Sequence, residues 1–81
     1  MTFTVYSKDG CIYCDKIEQL MQFTEVKYVI YKLDREFTKE AFHDEYGEDA
    51  TFPQVSFGNQ HIGGCADTIK FLREQKHLPD E

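Results

Sequence analysis

Two cysteines separated by two residues stand where a predicted strand gives way to a predicted helix. Residues 2–7 alternate polar with β-branched or aromatic side chains, as strands do, and Asp9-Gly10 then turns the chain. Over residues 11–23 apolar side chains recur at spacings of three and four, which predicts a helix with one buried stripe. The chain must therefore begin with a β-α unit that has Cys11 at the helix start and Cys14 on the stripe.

The segment 26–33 is the most strongly predicted strand because it is apolar almost throughout. Such a run favours a strand that is central or covered on both faces. Asp34 is the predicted N-cap of the helix that follows, and Gly47 is its predicted C-terminal residue in the left-handed region. That helix is predicted from two i,i+4 pairs, Phe37 with Ala41 and Phe42 with Tyr46.

Two short strands and a third helix complete the predicted order. Residues 54–57 and 60–62 alternate, and Gly58-Asn59 between them suits a tight hairpin turn. Gly63-Gly64 ends the pattern, and the last helix is predicted to begin near Asp67. The order is therefore βαβαββα, with a parallel first strand pair and an antiparallel hairpin. We expect an α/β fold in which three helices flank a four-stranded mixed sheet.

Length and charge exclude several classes of protein. A chain of 81 residues suits a single domain, residues 1–81. Nine basic against fifteen acidic residues give a net charge of −6, which argues against nucleic-acid binding. The sequence has no apolar stretch long enough to span a bilayer and no secretory leader, so we expect a cytoplasmic protein without membrane contact.

Three cysteines are the wrong number for a small secreted domain held by disulfides. A close pair in a reducing compartment is more often catalytic or metal-binding. The first turn of a helix stabilises an anion, so Cys11 is favoured as a thiolate, and Lys8 would add a positive charge. Cys14, one turn further on, would resolve the mixed disulfide that Cys11 forms.

Half of a zinc site is the alternative for the cysteine pair. Zinc in a structural site takes four ligands. The other candidate ligands are Cys65, His43, His61 and His77. They are scattered without a second C-x-x-C or an H-x-x-x-H pattern, so we expect no metal.

Three separated motifs resemble the glutaredoxins, the glutathione-dependent branch of the thioredoxin-like fold. They are VYSKDGCIYC near the start, TFPQV at 51–55 and HIGGCAD at 61–67. The family's common C-P-Y-C appears here with Ile12 in place of proline, and its T-V-P appears as Thr51-Phe52-Pro53. The thioredoxin signature W-C-G-P-C is absent, and the small size is also similar to that of bacteriophage glutaredoxins.

The resemblance implies a thioredoxin-like fold and an enzyme that reduces protein disulfides and glutathione mixed disulfides. Cys11 would be the nucleophile and Cys14 the resolving thiol. Pro53 would be a cis-proline facing the dithiol, and the Phe52 backbone would pair with the backbone of the substrate's cysteine. Glutathione would be the co-substrate, and the partners would be disulfide-containing or glutathionylated proteins.

Glutathione carries a carboxylate at each end, so its groove needs two anion sites. The resemblance places Lys8, Tyr13 and Lys39 at the glycine carboxylate. It places Gly64, Cys65, Ala66 and Asp67 at the γ-glutamyl end, where backbone N–H groups would form a nest. Each has a plainer interpretation: the lysines as solvated charges, Tyr13 as a shield for the dithiol, Cys65 as a packed residue and Asp67 as an N-cap.

Three alternative functions remain open from the sequence. The protein could be a thioredoxin-like hydrogen donor, for example to ribonucleotide reductase, recharged by a flavoprotein reductase. It could carry an iron–sulfur cluster held by Cys11 from two chains and two glutathiones. It could also be a binding module that uses no thiol chemistry. For the leading function we expect a monomer.

Overall fold

The computed structural model describes residues 1–78 and places seven elements in the predicted order. The strands are β1 (Phe3–Ser7), β2 (Tyr28–Lys32), β3 (Gln54–Phe57) and β4 (Gln60–Gly63), and the helices are α1 (Ile12–Phe23), α2 (Lys39–Tyr46) and α3 (Cys65–Glu74). The predicted order βαβαββα, with three helices and a four-stranded sheet, is confirmed. No helix within residues 1–78 is long and apolar enough to cross a membrane.

The sheet is mixed and has the strand order β2-β1-β3-β4. β1 pairs in parallel with β2, while the pairs β1/β3 and β3/β4 are antiparallel, as predicted. Gly58 adopts a φ of 60° in the hairpin turn between β3 and β4. A side chain rarely adopts that conformation, which explains the glycine. β1 and β3 are therefore the central strands.

The sequence predicted that strand β2 is central or covered on both faces. β2 lies at an edge of the sheet, so the central position is wrong. All five of its residues are half-buried. Ile30 packs against the main core, and the ring of Tyr31 contacts that of Tyr6, with centroids 5.6 Å apart. A strand that is partly covered on both faces has apolar side chains on both faces, as a central strand does. Its sequence therefore shows the same apolar run.

The main core joins β1 and β3 to α1 and α3. Its fully buried members are Phe3, Val5, Ile17, Met21, Val55 and Leu72. Along β1, alternate residues Phe3, Val5 and Ser7 are buried in this direction, as a period of two requires. The predicted stripe of α1 is confirmed, since Cys14, Ile17 and Met21 are its buried residues.

A second layer, here called the aromatic cluster, connects α2 to β1 and to the segment before β3. Its members are Tyr6, Tyr31, Phe37, Phe42, Tyr46 and Phe52. Phe42 is 2% exposed and stacks on Phe52. A helix of eight residues is too short to be stable alone, so these ring contacts hold α2 in place.

The cap of α2 differs from the prediction. Thr38, not Asp34, is the N-cap, and its hydroxyl accepts the Ala41 N–H over 3.1 Å. Asp34 instead occupies a turn with a φ of 66°, and its N–H bonds to the Phe37 carbonyl. Phe37 therefore precedes the helix, so its predicted helical pair with Ala41 is wrong. Gly47 is confirmed as the C-terminal residue of α2, with a φ of 101°.

The start of α3 also differs from the prediction. The helix begins at Cys65, two residues before the predicted start, and Gly64 is the N-cap. Asp67 therefore lies in the first turn, and its interpretation as an N-cap is wrong. Gly64 provides the extended cap backbone, and its carbonyl accepts hydrogen bonds from the N–H and the hydroxyl of Thr68.

Candidate active site

The sulfur of Cys11 caps α1. Cys11 is the N-cap residue, with φ −108° and ψ 112°, and its Sγ accepts a hydrogen bond from the Cys14 N–H over 3.2 Å. A side-chain oxygen normally fills this role, so the sulfur takes the position where a helix stabilises negative charge. The predicted place of Cys11 at the helix start is confirmed. The residue is half-buried.

Cys14 presents the opposite environment. Its side chain is fully buried, and burial together with the hydrogen bond to Cys11 raises the pKa of Cys14 to about 12. A hydrogen bond from the Lys8 backbone acts in the other direction. Cys14 is therefore a protonated thiol at neutral pH. The two thiols therefore differ in burial, as a nucleophile and a resolving group must.

The segment before β3 faces the dithiol. The peptide bond between Phe52 and Pro53 is cis, which confirms the geometry that the resemblance implied. The Cys11 thiol lies 3.9 Å from the Phe52 carbonyl oxygen, within hydrogen-bond reach for sulfur. Pro53 itself is buried. A substrate disulfide that reaches Cys11 therefore also meets the Phe52 backbone.

A groove of about 610 Å³ opens beside Cys11. Its walls include Lys8 from the loop after β1, Lys39 and His43 from α2, and Phe52. Two of the three residues predicted for the glycine carboxylate, Lys8 and Lys39, thus lie in the same groove as Cys11. Tyr13, the third, is 61% exposed on the first turn of α1 and is not in the wall of this groove.

His43 and Glu48 also line the groove, although neither was predicted to bind a substrate. His43 lies four residues after Lys39, so the two share one helix face. The i,i+4 spacing from Lys39 is the sequence signal that could have identified His43. The His43 ring contacts the Gly47 carbonyl through Nδ1 at 2.9 Å, which ties it to the end of α2.

The residues predicted for the γ-glutamyl end lie at the start of α3. A Cβ atom on Gly64 would touch the Pro53 carbonyl at 3.6 Å, so this end adjoins the cis-proline. Gly63 has a φ of 131°, and a side chain there would clash with the Asp67 carboxylate. The first N–H groups of α3, from Cys65 onward, have no carbonyl partner within the helix.

Cys65 is half-buried, and burial raises the pKa of its thiol. Cys11 lies near enough to add to that shift. A protonated, half-buried thiol is a weak nucleophile, so its N–H is the part of Cys65 that suits ligand binding. Within residues 1–78, no three His, Cys, Asp or Glu side chains are grouped to hold a metal ion.

Comparison with known proteins agrees with this geometry. The family model for glutaredoxin matches residues 3–62. A glutaredoxin from Vernicia fordii is 32% identical over 93% of this chain and 75% of its own length. Reduced Escherichia coli glutaredoxin superposes with a TM-score of 0.78 at 25% identity, over 96% of this chain and all of that one.

A third relative was solved with a ligand. The buckwheat glutaredoxin–glutathione complex superposes with a TM-score of 0.75 at 31% identity, over 95% of this chain and 73% of that one. These likenesses cover the dithiol, the cis-proline segment and the sheet, and they confirm the thioredoxin-like fold. The chain therefore belongs to the glutaredoxin family and is a thiol–disulfide oxidoreductase.

Proposed function

We propose that the protein reduces glutathione mixed disulfides and protein disulfides, with glutathione as its co-substrate. One observation carries the proposal: Cys11 lines a groove whose wall also includes Lys8 and Lys39. A disulfide partner with carboxylates would be attracted to those ammonium groups. The buckwheat relative solved with glutathione supports the same ligand. Reduced glutathione is abundant in reducing compartments, which agrees with the predicted cytoplasmic location.

The reaction on a protein disulfide begins at Cys11. Its thiolate attacks one sulfur of the substrate, which breaks the substrate S–S bond and forms a mixed disulfide with Cys11. The other substrate sulfur leaves as a thiolate and takes a proton. Cys14 then gives up its proton and attacks the Cys11 sulfur. This step releases the second substrate thiol and leaves a Cys11–Cys14 disulfide, which two glutathione molecules reduce while they become glutathione disulfide.

A glutathionylated substrate needs only Cys11. Attack on the glutathione sulfur releases the substrate thiol and leaves glutathione bonded to Cys11. A second glutathione then reduces that bond and forms glutathione disulfide. Cys14 is not required, because the resolving thiol comes from solution. The two substrates therefore depend differently on Cys14.

In the proposed complex, glutathione spans the site from α2 to α3. Lys8, Tyr13 and Lys39 would face the glycine carboxylate, and the Phe52 backbone would pair with the cysteine of the tripeptide. The N–H groups of Cys65 and Ala66 would receive the γ-glutamyl carboxylate. Asp67 would meet the ammonium, and Gly64 would allow the close approach.

The test is turnover coupled to glutathione, glutathione reductase and NADPH, with a glutathionylated peptide and with a protein disulfide as substrates. We expect Cys11→Ser to abolish both activities. Cys14→Ser should keep the activity on the glutathionylated peptide and lose most of the activity on the protein disulfide. Cys65→Ser is the control variant, because it removes the third thiol. If the wild type turns over neither substrate with glutathione but does so with thioredoxin reductase, the proposed co-substrate is wrong.

A further inference from the structure

Phe52 occupies the middle position of the motif that reads T-V-P in the family it resembles. Its backbone carbonyl lies 3.9 Å from the Cys11 sulfur, and its side chain forms part of the groove wall. A valine would fulfil the backbone role equally well. The aromatic ring therefore adds something specific to this chain.

The ring of Phe52 joins two parts of the groove. It stacks on Phe42 of α2, with centroids 4.1 Å apart and planes 10° from parallel. The Lys8 ammonium lies over the same ring, 5.2 Å from its centroid. α2 also carries Lys39, which lines the groove. Both lysines of the groove are thus connected to this one ring, Lys8 directly and Lys39 through the packing of α2.

Without the ring, neither lysine would be held as firmly. Lys8 is exposed, and a lysine side chain in water samples many rotamers. An aromatic face selects those that keep the ammonium near it, an attraction that corresponds to about two- to fivefold in an equilibrium at an exposed site. The stack on Phe42 also restricts α2, because a short helix depends on its tertiary contacts.

We infer that Phe52 is a positioning residue that holds the ammonium groups of Lys8 and Lys39 beside the Cys11 sulfur. The consequence is a preference for disulfides that carry a carboxylate over uncharged ones. This inference deepens the proposed function and rests on it for the identity of the natural substrate. The placement of the charges, however, can be measured without glutathione.

The direct test compares two alkylating reagents at Cys11. Iodoacetate carries a carboxylate, and iodoacetamide is its uncharged counterpart, so the ratio of their rates reports the cations near the sulfur. Phe52→Leu keeps apolar bulk but removes the ring, and we expect it to lower the iodoacetate-to-iodoacetamide ratio about two- to fivefold. Phe52→Tyr keeps the ring and should retain the wild-type ratio.

Two further variants separate positioning from packing. Phe37→Leu removes another ring of the aromatic cluster, one that contacts Phe52 at 6.1 Å but does not line the groove. We expect it to lower the ratio less than Phe52→Leu does, because the Lys8 ammonium still lies over the Phe52 ring. Lys8→Met should lower the ratio in the wild type and have much less effect in Phe52→Leu, because the ring acts partly through this lysine.

A Phe52→Leu ratio equal to that of the wild type overturns the inference, and so does an equal fall in Phe37→Leu. Failure of the proposed function has a different signature. Suppose that the wild type shows no turnover with glutathione, but that Phe52→Leu still lowers the alkylation ratio. Glutathione is then wrong as the co-substrate, and the positioning role of Phe52 stands. In an active enzyme, Phe52→Leu should raise the KM for a glutathionylated peptide more than for the same peptide linked to 2-mercaptoethanol.

Discussion

The backbone N–H of Cys14 donates a hydrogen bond to the Cys11 sulfur over 3.2 Å, while the Cys14 sulfur lies fully buried beneath it. One helical turn thus creates two unlike thiols. The first lies at the positive end of α1, and the second is surrounded by core side chains. The division of roles in the dithiol follows from where the helix begins.

We expect alkylation at neutral pH to distinguish the two cysteines. Iodoacetamide should modify Cys11 rapidly, because Cys11 lines the open groove and is only half-buried. Cys14 should stay unmodified, because its pKa is raised to about 12. Mass spectrometry of peptides from the reduced protein measures both rates.

Cys14→Ser is the control for that experiment, since Cys11 keeps its position at the helix start and should still react. Cys65 should react slowly, because burial raises the pKa of its thiol as well. Labelling of Cys14 at a rate comparable to Cys11 would contradict the assignment of roles.

The pKa of Cys14 also predicts how stability depends on pH. Burial raises this pKa from 9.0 to about 12, so the folded protein keeps a proton that the unfolded chain loses above pH 9. The contribution of the protonated Cys14 thiol to the free energy of unfolding is therefore fully present below pH 9 and falls as the pH rises toward 12. At about pH 10 the loss should be on the order of 1 kcal/mol in the free energy of unfolding.

Cys14→Ala isolates this effect, because Lys32 and Tyr46 have raised pKa values too and also weaken the fold in alkali. Urea denaturation with a phosphine reductant should show that the wild type exceeds Cys14→Ala in stability at neutral pH. The difference should shrink at about pH 10. A constant difference across that range would show that burial does not hold the proton on Cys14.

The sequence was sufficient for the order of elements, because periodicities of two and 3.6 are local properties. The edge position of β2 could not be predicted in this way, since strand order depends on which strands pair in three dimensions. The predicted N-cap of α2 was wrong for a related reason. Asp34 and Thr38 are both good N-cap residues. The bridge between Leu33 and Phe37 keeps that segment out of the helix, so α2 begins after Thr38.

The site was predicted to a similar extent. Cys11 and Cys14 followed from spacing and helix position, and Lys8 from its place just before Cys11, whereas Lys39 came from the resemblance alone. His43 shares a helix face with Lys39, but its place in the wall of a groove between α2 and two loops depends on the tertiary arrangement. The inferred role of the Phe52 ring rests on its contacts with Lys8 and Phe42, which come from distant parts of the chain, so the sequence alone could not suggest it.

An ion pair ties edge strand β2 to α1. Lys32 Nζ lies 2.9 Å from Glu18 Oε2, and the two side chains are 18% and 22% exposed. Lys32→Met keeps the apolar stem and leaves the carboxylate unpaired, so it should lower the free energy of unfolding by about 1–2 kcal/mol. The hydrogen bond to Glu18 also raises the pKa of Lys32, so this contribution is present at neutral pH and lost in strong alkali.

Arg35→Gln is the matched control for Lys32→Met. Arg35 pairs with Asp9 at 3.3 Å, but these side chains are 62% and 74% exposed. Water screens such a pair, so the loss should be less than about 0.5 kcal/mol. Urea denaturation measures the free energy of unfolding that each variant loses. Equal losses in the two variants would mean that the partial burial of Lys32 does not strengthen its ion pair.

Two buried hydroxyl groups provide the last prediction. Ser7 and Thr68 are both 0% exposed. The Thr68 hydroxyl donates to the Gly64 carbonyl over 2.7 Å, whereas among residues 1–78 the Ser7 hydroxyl has no hydrogen-bond partner. An unpaired buried hydroxyl costs free energy, and a paired one contributes about 1 kcal/mol. Thr68→Val should therefore destabilise the protein by about that amount, and Ser7→Ala should be at least as stable as the wild type. Thermal or urea unfolding of the two variants side by side decides the matter, and a larger loss for Ser7→Ala than for Thr68→Val would reveal a partner for the Ser7 hydroxyl.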